Sequence, residues 1–340
     1  MTKQLEYLII YHKEDNDGVF SAAIFYDYII NKLHLKLEDL CFMGEDYNGL
    51  SEFQKYNTPE QLHKDFKHII MTDISFNDPK YMKALYKEFG SDFIWCDHHA
   101  PIIKASHENR FDDAPGVRDT TRSAILCVWK YLYDQFDEAY NKKEVPELLR
   151  ILSAWDSWSY EREGYDQEYV RNVNKGVTFE YDLQLGKVKH VIHELVVKYV
   201  DGLPNWEYIE DQLIKDMYDL GKKLNDYDDI TMRNIIISAG DFEWKLQNDR
   251  KACVIFHQGA TSSLHFKYVK DMHPEIQHGI VFKHQANSNW VVSIYNINNE
   301  DTFHCGDYCK KMYNGGGHAG AAGCTLTQEQ FIKILKKKIF

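Results

Sequence analysis

Three short stretches of this chain concentrate acidic and histidine side chains where chemistry is plausible. His12, Asp15 and Asp17 lie in HKEDNDG, Asp73 in MTDIS, and Asp97, His98 and His99 in WCDHHAP. Each group follows a short apolar run that reads as a β-strand. In parallel α/β sheets, ligands bind beyond the carboxyl ends of the strands, so the three groups are expected to converge. So many carboxylates in one place repel one another unless cations neutralise them. Hard carboxylate oxygens with a minority of imidazoles suit Mn²⁺ or Mg²⁺, with Fe²⁺ or Co²⁺ as alternatives. Structural zinc would more often take cysteine. Two such ions about 3.5–4 Å apart can clamp a phosphoryl group and activate a water, given one carboxylate that bridges them. Asp73, alone on its strand, is the natural bridge.

The elements that must position these residues read as an α/β fold. Strands are expected at Leu5–Tyr11, Leu40–Met43, His68–Thr72 and Phe93–Cys96. Helices are expected over Ser21–Leu33, from Asp78-Pro79 to a stop at Gly90, over Ser123–Tyr140, and over Pro146–Trp155. Asp before Pro opens a helix and Gly closes it. Strands alternating with helices predict a parallel sheet with helices on both faces. Residues 182–229 read as a helical connection following a domain of residues 1–181. From 230 the pattern is strand-like again, in ITMRNIIISA, ACVIFHQG, HGIVFKH and NWVVSIYNI. A Gly-rich segment and a Lys-rich amphipathic tail follow, so a smaller α/β domain is expected over 230–340.

Composition bounds the partners. The 340-residue chain carries a formal charge of −12, against broad binding to long duplex nucleic acid, which relies on many Lys and Arg contacts. A small anionic substrate remains compatible, because bound ions supply local positive charge. The amino-terminal apolar run is too short for a signal sequence or a membrane span. Seven scattered cysteines argue against a disulfide framework and for a reducing cytoplasm.

HKEDNDG at 12–18, TD at 72–73, DHH at 97–99, SAWD at 153–156 and GGGHAGAAG at 315–323 occur in the order found in the DHH phosphoesterase family, which the chain resembles across residues 12–323. The resemblance implies that His12, Asp15 and Asp73 hold one ion, and that Asp17, Asp73, His98 and Asp156 hold the other. Asp97 would orient the histidine pair, and His99 would face the substrate phosphate. Gly315, Gly316, Gly317 and His318 resemble the phosphate- or nucleotide-gripping loop of the associated carboxyl-terminal domain, where glycines let backbone N–H groups approach an anion. Two features depart from the family pattern. His12 stands three residues before Asp15, a spacing many members do not share. Ser293, Tyr295 and Asn296 lie where many members carry a phosphate-binding Arg.

Within the family this type of carboxyl-terminal domain accompanies nucleotide substrates. The resemblance therefore implies hydrolysis of short oligonucleotides by a two-ion mechanism. Cyclic dinucleotides and 3′-phosphoadenosine 5′-phosphate are the alternative substrates, and a non-catalytic nucleotide-binding module is the alternative of another class. A homodimer is compatible with the sequence. Arg122 could touch phosphate or lie on the surface. Trp155 and Trp158 could stack a base, though core packing is the plainer reading. Ser123 reads as a helix start. His304, Cys305, Cys309 and Cys324 fit no paired zinc spacing, and the KILKKK tail reads as a solvated helix face.

Overall fold

A computed structural model describes residues 4–134, 145–180, 211–246, 249–259, 261–286, 288–297 and 303–340. The helical readings of 135–140 and 182–210 fall outside the described residues. The chain divides into two compact units, Met1–Leu224 and Asn225–Phe340. Among the described residues no helix is long and apolar enough to cross a membrane.

The first unit is built on four strands, β1 (Leu5–His12), β2 (Leu40–Glu45), β3 (Phe66–Thr72) and β4 (Phe93–Cys96), in the order β2-β1-β3-β4. All pairs are parallel, with Tyr11 level with Gly44 and Thr72, and Thr72 level with Cys96. The carboxyl ends of the four strands therefore lie along one edge. Helices cover both faces, as expected. Leu8, Ile10, Ile69, Met71, Phe93 and Trp95 point into one core with α4 (Pro79–Phe89) and α5 (Ala100–Asn109). Ile9, Tyr11, Ile70 and Cys96 point into the other, with α1 (Asn16–Asn31), α6 (Ala124–Trp129), α7 (Glu147–Asp156) and α8 (Gln167–Glu180). Strands sandwiched in this way are apolar on both faces, which is why they read as continuous apolar runs.

Capping explains the boundaries. Asp78 caps α4, Pro79 occupies its first turn, and Gly90 ends it at φ 57°. Helix α1 begins five residues earlier than Ser21. Asp15 is its N-cap, accepting from the Gly18 N–H at 3.0 Å, so Asp17 sits in the first helical turn rather than in a loop. Gly18 is required there, since a Cβ would stand 2.1 Å from the His12 carbonyl oxygen. Helices α2 (Tyr47–Tyr56) and α3 (Pro59–Asp65), between β2 and β3, were not evident from periodicity.

The second unit opens with part of α9 (Asp211–Ala239). The expectation of a strand at ITMRNIIISA is corrected by this helix. Met232, Ile235, Ile236 and Ala239 recur at helical spacing; Met232 and Ile236 are buried while Ile230 and Ile237 are exposed. The strand comes later, as β5 (Asp241–Lys245). It joins β6 (Lys251–Phe256), β7 (His278–His284), β8 (Trp290–Asn296), β9 (Gly316–Gly317) and β10 (Ala321–Leu326) in a sheet ordered β5-β6-β7-β8-β10-β9. Only β6 and β7 run parallel within it; the other pairs are antiparallel. The Lys-rich tail forms an amphipathic helix, Gln328–Lys337, that buries Phe331 and Ile334.

Candidate metal centre

The edge where the parallel strands end collects the residues singled out from the sequence. His12 closes β1, with Nδ1 2.8 Å from Asp15 Oδ2 and 3.6 Å from Asp73 Oδ2. Asp73 follows β3 with φ 59°, a left-handed conformation that Asp tolerates at a cost on the order of 1 kcal/mol. Its other oxygen, Oδ1, is 3.2 Å from His98 Nε2. The same Nε2 lies 3.6 Å from Asp17 Oδ2 and 3.6 Å from Asp156 Oδ2. Asp156 is the last residue of α7. Six residues from four segments thus meet, and Asp73 turns one oxygen to the His12 side and one to the His98 side.

Ligand atoms fall within 4.8 Å of one another in three overlapping groups: His12–Asp15–Asp73, Asp17–His98–Asp156 and Asp73–His98–His99. Neither oxygen of Asp73, nor Oδ2 of Asp156, receives a hydrogen bond of good geometry, although all three are buried. The Asp156 side chain as a whole is 25 % exposed, while its Oδ2 is buried against the cluster. Orphaned carboxylate oxygens are costly and call for a partner. A carboxylate-rich donor set with imidazoles fits divalent ions of the Mn²⁺ and Mg²⁺ kind. These clusters could hold metal ions.

The electrostatics point the same way. Burial and the facing Asp73 carboxylate push the Asp17 carboxyl up to about 7. Burial and the Asp17 carboxylate raise Asp156 well above the usual range. Burial alone would lower His12 and His98, but the carboxylates against them prevail and push both up to about 11. Burial would likewise raise Asp73, but the His12 and His98 imidazoles hold it well below the usual range. Without ions, protons on the imidazoles supply the positive charge that the carboxylates demand.

Asp97 stands behind the cluster. It is fully buried, and Oδ1 accepts from the backbone N–H groups of His98 at 2.7 Å and His99 at 3.0 Å. The same oxygen is 2.7 Å from His99 Nδ1, while Oδ2 accepts from Trp95 Nε1 at 3.1 Å. Asp97 is a positioning residue. It fixes His99 with Nδ1 turned inward, leaving Nε2 as the nitrogen the ring can offer elsewhere.

Asp17 has a second task. Its two oxygens accept from the N–H groups of Ala124 at 2.7 Å and Ile125 at 2.9 Å, the first turn of α6. Ser123 occupies the N-cap position, as expected, but its hydroxyl makes no capping bond because Asp17 has taken those donors.

Arg122 is half-exposed, with Nε 3.1 Å from Asp119 Oδ2. Trp155 and Trp158 stack with ring centroids 5.7 Å apart. Core packing does not hold for Trp158, which is 53 % exposed because the chain turns at φ 52° just past α7. Gly315, Gly316, Gly317 and His318 form a tight hairpin with β10. Gly317 has φ 139°, and a Cβ on Gly315 would stand 2.2 Å from the Gly323 carbonyl oxygen. The N–H of Gly315 donates to the Cys309 carbonyl of the preceding helix, Cys305–Tyr313, and that of His318 donates to the Ala321 carbonyl within the hairpin, so both donors serve the local fold. Asn296 Nδ2 donates to the carbonyls of Phe303 and Ala319, and Tyr295 OH donates to that of Thr261.

Tyr47 was missed. It begins α2 just past β2, and its ring centroid is 6.0 Å from that of His12 and 6.3 Å from that of His99. The rule that directs attention beyond β1, β3 and β4 applies equally to β2, and would have found it.

No family model matches the chain. A curated protein of Acanthamoeba polyphaga mimivirus, described as uncharacterized protein R106, is 22 % identical over 238 residues, 67 % of this chain and 46 % of that protein. The chain thus spans about half the length of the curated relative it matches. Among solved structures, a pGpG-specific phosphodiesterase from Vibrio cholerae aligns over 98 % of this chain and 97 % of its own, with TM-score 0.47 and 14 % identity. An uncharacterized protein from Helicobacter pylori G27 aligns over 98 % of each chain, with TM-score 0.40 and 17 % identity. An exopolyphosphatase-related protein from Bacteroides fragilis aligns over 98 % of this chain and 91 % of its own, with TM-score 0.48 and 13 % identity.

Proposed function

We propose that this protein is a metal-dependent phosphoesterase of the DHH type that hydrolyses phosphodiester bonds in short oligonucleotides or small nucleotides. The observation that carries the reading is the Asp73 carboxylate. It is buried, has no hydrogen bond of good geometry, and stands with one oxygen toward His12 and one toward His98. That is the disposition of a carboxylate shared by two ions.

In this reading His12, Asp15 and Asp73 hold one ion, and Asp17, Asp73, His98 and Asp156 the other. Two Mn²⁺ ions there supply Lewis acidity toward the phosphoryl oxygens and a water nucleophile at neutral pH. Asp97 holds His99 so that Nε2 meets a phosphate oxygen. Asp17 locks α6 to α1, fixing its own carboxylate against the cluster. The hairpin at Gly315–His318 and Arg122 bind substrate away from the reacting bond. The chain works in a reducing compartment such as the cytoplasm, in keeping with its seven free thiols. Its acidic balance favours short substrates over long duplexes.

The test is a screen of Mn²⁺-loaded protein over short RNAs, cyclic dinucleotides and 3′-phosphoadenosine 5′-phosphate. Turnover of at least one, abolished by chelation and restored by Mn²⁺, is expected. Nucleotide binding without turnover of any substrate would assign the chain to the non-catalytic class.

A further inference from the structure

Beside the metal centre, on the side of Tyr47, the first unit contains a cavity of about 190 Å³. Three of the strand-to-helix connections along the sheet edge build it. Tyr47 comes from the start of α2, Ser75 and Asn77 from the segment between β3 and α4, and His99, Pro101 and Ile102 from the start of α5. His99 belongs both to this wall and to the group with Asp73 and His98, so the cavity begins one side chain from the candidate metal ligands.

We infer that this cavity is a nucleobase subsite, receiving the base of the nucleotide whose phosphate lies at the metal cluster. The inference rests on the phosphoesterase reading for the placement of that phosphate. The chemistry of the walls selects the occupant. Among the described residues the lining contains no Lys, Arg, Asp or Glu, so it is not built for a second phosphate or a cation. Most of it is apolar or aromatic, with Tyr47, Pro101 and Ile102 offering surface to a flat ring. Ser75 and Asn77 add hydroxyl and amide groups that can pair with the donors and acceptors on a base edge. A sugar, with hydroxyls on every side, would leave several without partners on such walls. A base and its phosphate are separated by one ribose, and a single residue, His99, separates cavity from cluster. Tyr47 sets the shape, because its ring meets His99 edge-on at 88° and is tilted 49° to His12.

Calorimetric titrations of the Mn²⁺-loaded protein with adenosine 5′-monophosphate, uridine 5′-monophosphate and inorganic phosphate test this. At least one nucleotide should bind about ten-fold more tightly than phosphate, the increment expected of one stacked base. Ala105→Trp, which fills the cavity from a position that also lines it, and Tyr47→Leu, which removes the aromatic wall, should each bring that ratio toward one. Circular dichroism guards against loss of fold, and two variants on different helices keep one informative if the other unfolds. Equal binding of nucleotide and phosphate by the parent, or a ratio that survives in both variants, overturns the subsite even if phosphoesters are hydrolysed. A nucleotide preference erased by the variants, in a protein that hydrolyses nothing, upholds the subsite and removes the hydrolytic reading.

Discussion

Asp17 and Ala124, 107 residues apart, are joined by a 2.7 Å hydrogen bond in which the Ala124 N–H donates to the Asp17 carboxylate. With the companion bond from Ile125, this makes Asp17 the cap of α6 as well as a member of the acidic cluster. A helix cap contributes about 1 kcal/mol. Asp17→Ala should therefore lower the melting temperature of metal-free protein by about 2–4 °C. The measurement belongs near pH 6, where protons on Asp17 mute its repulsion with Asp73. An unchanged melting temperature would show that the cap contributes nothing.

Stability of the metal-free protein should fall as pH rises from about 5 to 9. Burial and the Asp73 carboxylate raise Asp17 from the ordinary carboxylate range to about 7, so its contribution is full below the unfolded value and lost between about 4 and 7. His12 and His98 are raised from 6.5 to about 11, so theirs is lost progressively above about 6.5. Asp73, held low, has the opposite sign but titrates only in acid, outside this window. Mn²⁺ replaces those protons, so its affinity should rise over the same range and binding should release protons. Melting curves with and without chelator, and calorimetry in two buffers of different ionisation enthalpy, check both statements. A metal-free melting temperature that climbs from pH 5 to 9 would contradict them.

Asp97→Asn should reduce kcat by about ten- to a hundred-fold while Mn²⁺ stoichiometry is kept. The reason is that Asp97 orients His99 and the backbone N–H groups of the histidine pair but does not itself reach the cluster. Loss of bound metal in this variant would move Asp97 into the ligand set.

His318→Ala should weaken turnover of a dinucleotide more than that of a simple chromogenic ester, by about ten-fold in the ratio of kcat/KM values, the effect of losing one remote binding contact. Equal loss on both substrates would assign His318 to the chemistry or to the fold.

The sheet and its edge were legible because parallel strands buried on two faces leave unbroken apolar runs, and because His12, Asp73 and Asp97 each follow one directly. Helix α4 was legible from Asp78, Pro79 and Gly90, three residues that each act locally. The start of α1 is obscured in the sequence because Asp15 is at once a candidate ligand and the helix cap. ITMRNIIISA reads as a strand because five of its ten residues are β-branched, which masks the helical spacing of Met232, Ile235, Ile236 and Ala239. The strand-end rule reaches Tyr47 as a residue of the sheet edge, but the bond from Asp17 to α6 and the specific contact of Tyr47 with His99 are not legible from the sequence. Both join segments far apart in sequence, and neither residue type requires such a partner.

A pair of ions bridged by Asp73 is open to direct measurement, by equilibrium Mn²⁺ binding to the parent and to Asp73→Asn. The substitution keeps shape and removes the shared charge. Two ions per chain in the parent, with both lost or greatly weakened together in Asp73→Asn, is the result predicted. A parent that binds one ion or none, or a variant that retains both at unchanged affinity, would contradict it.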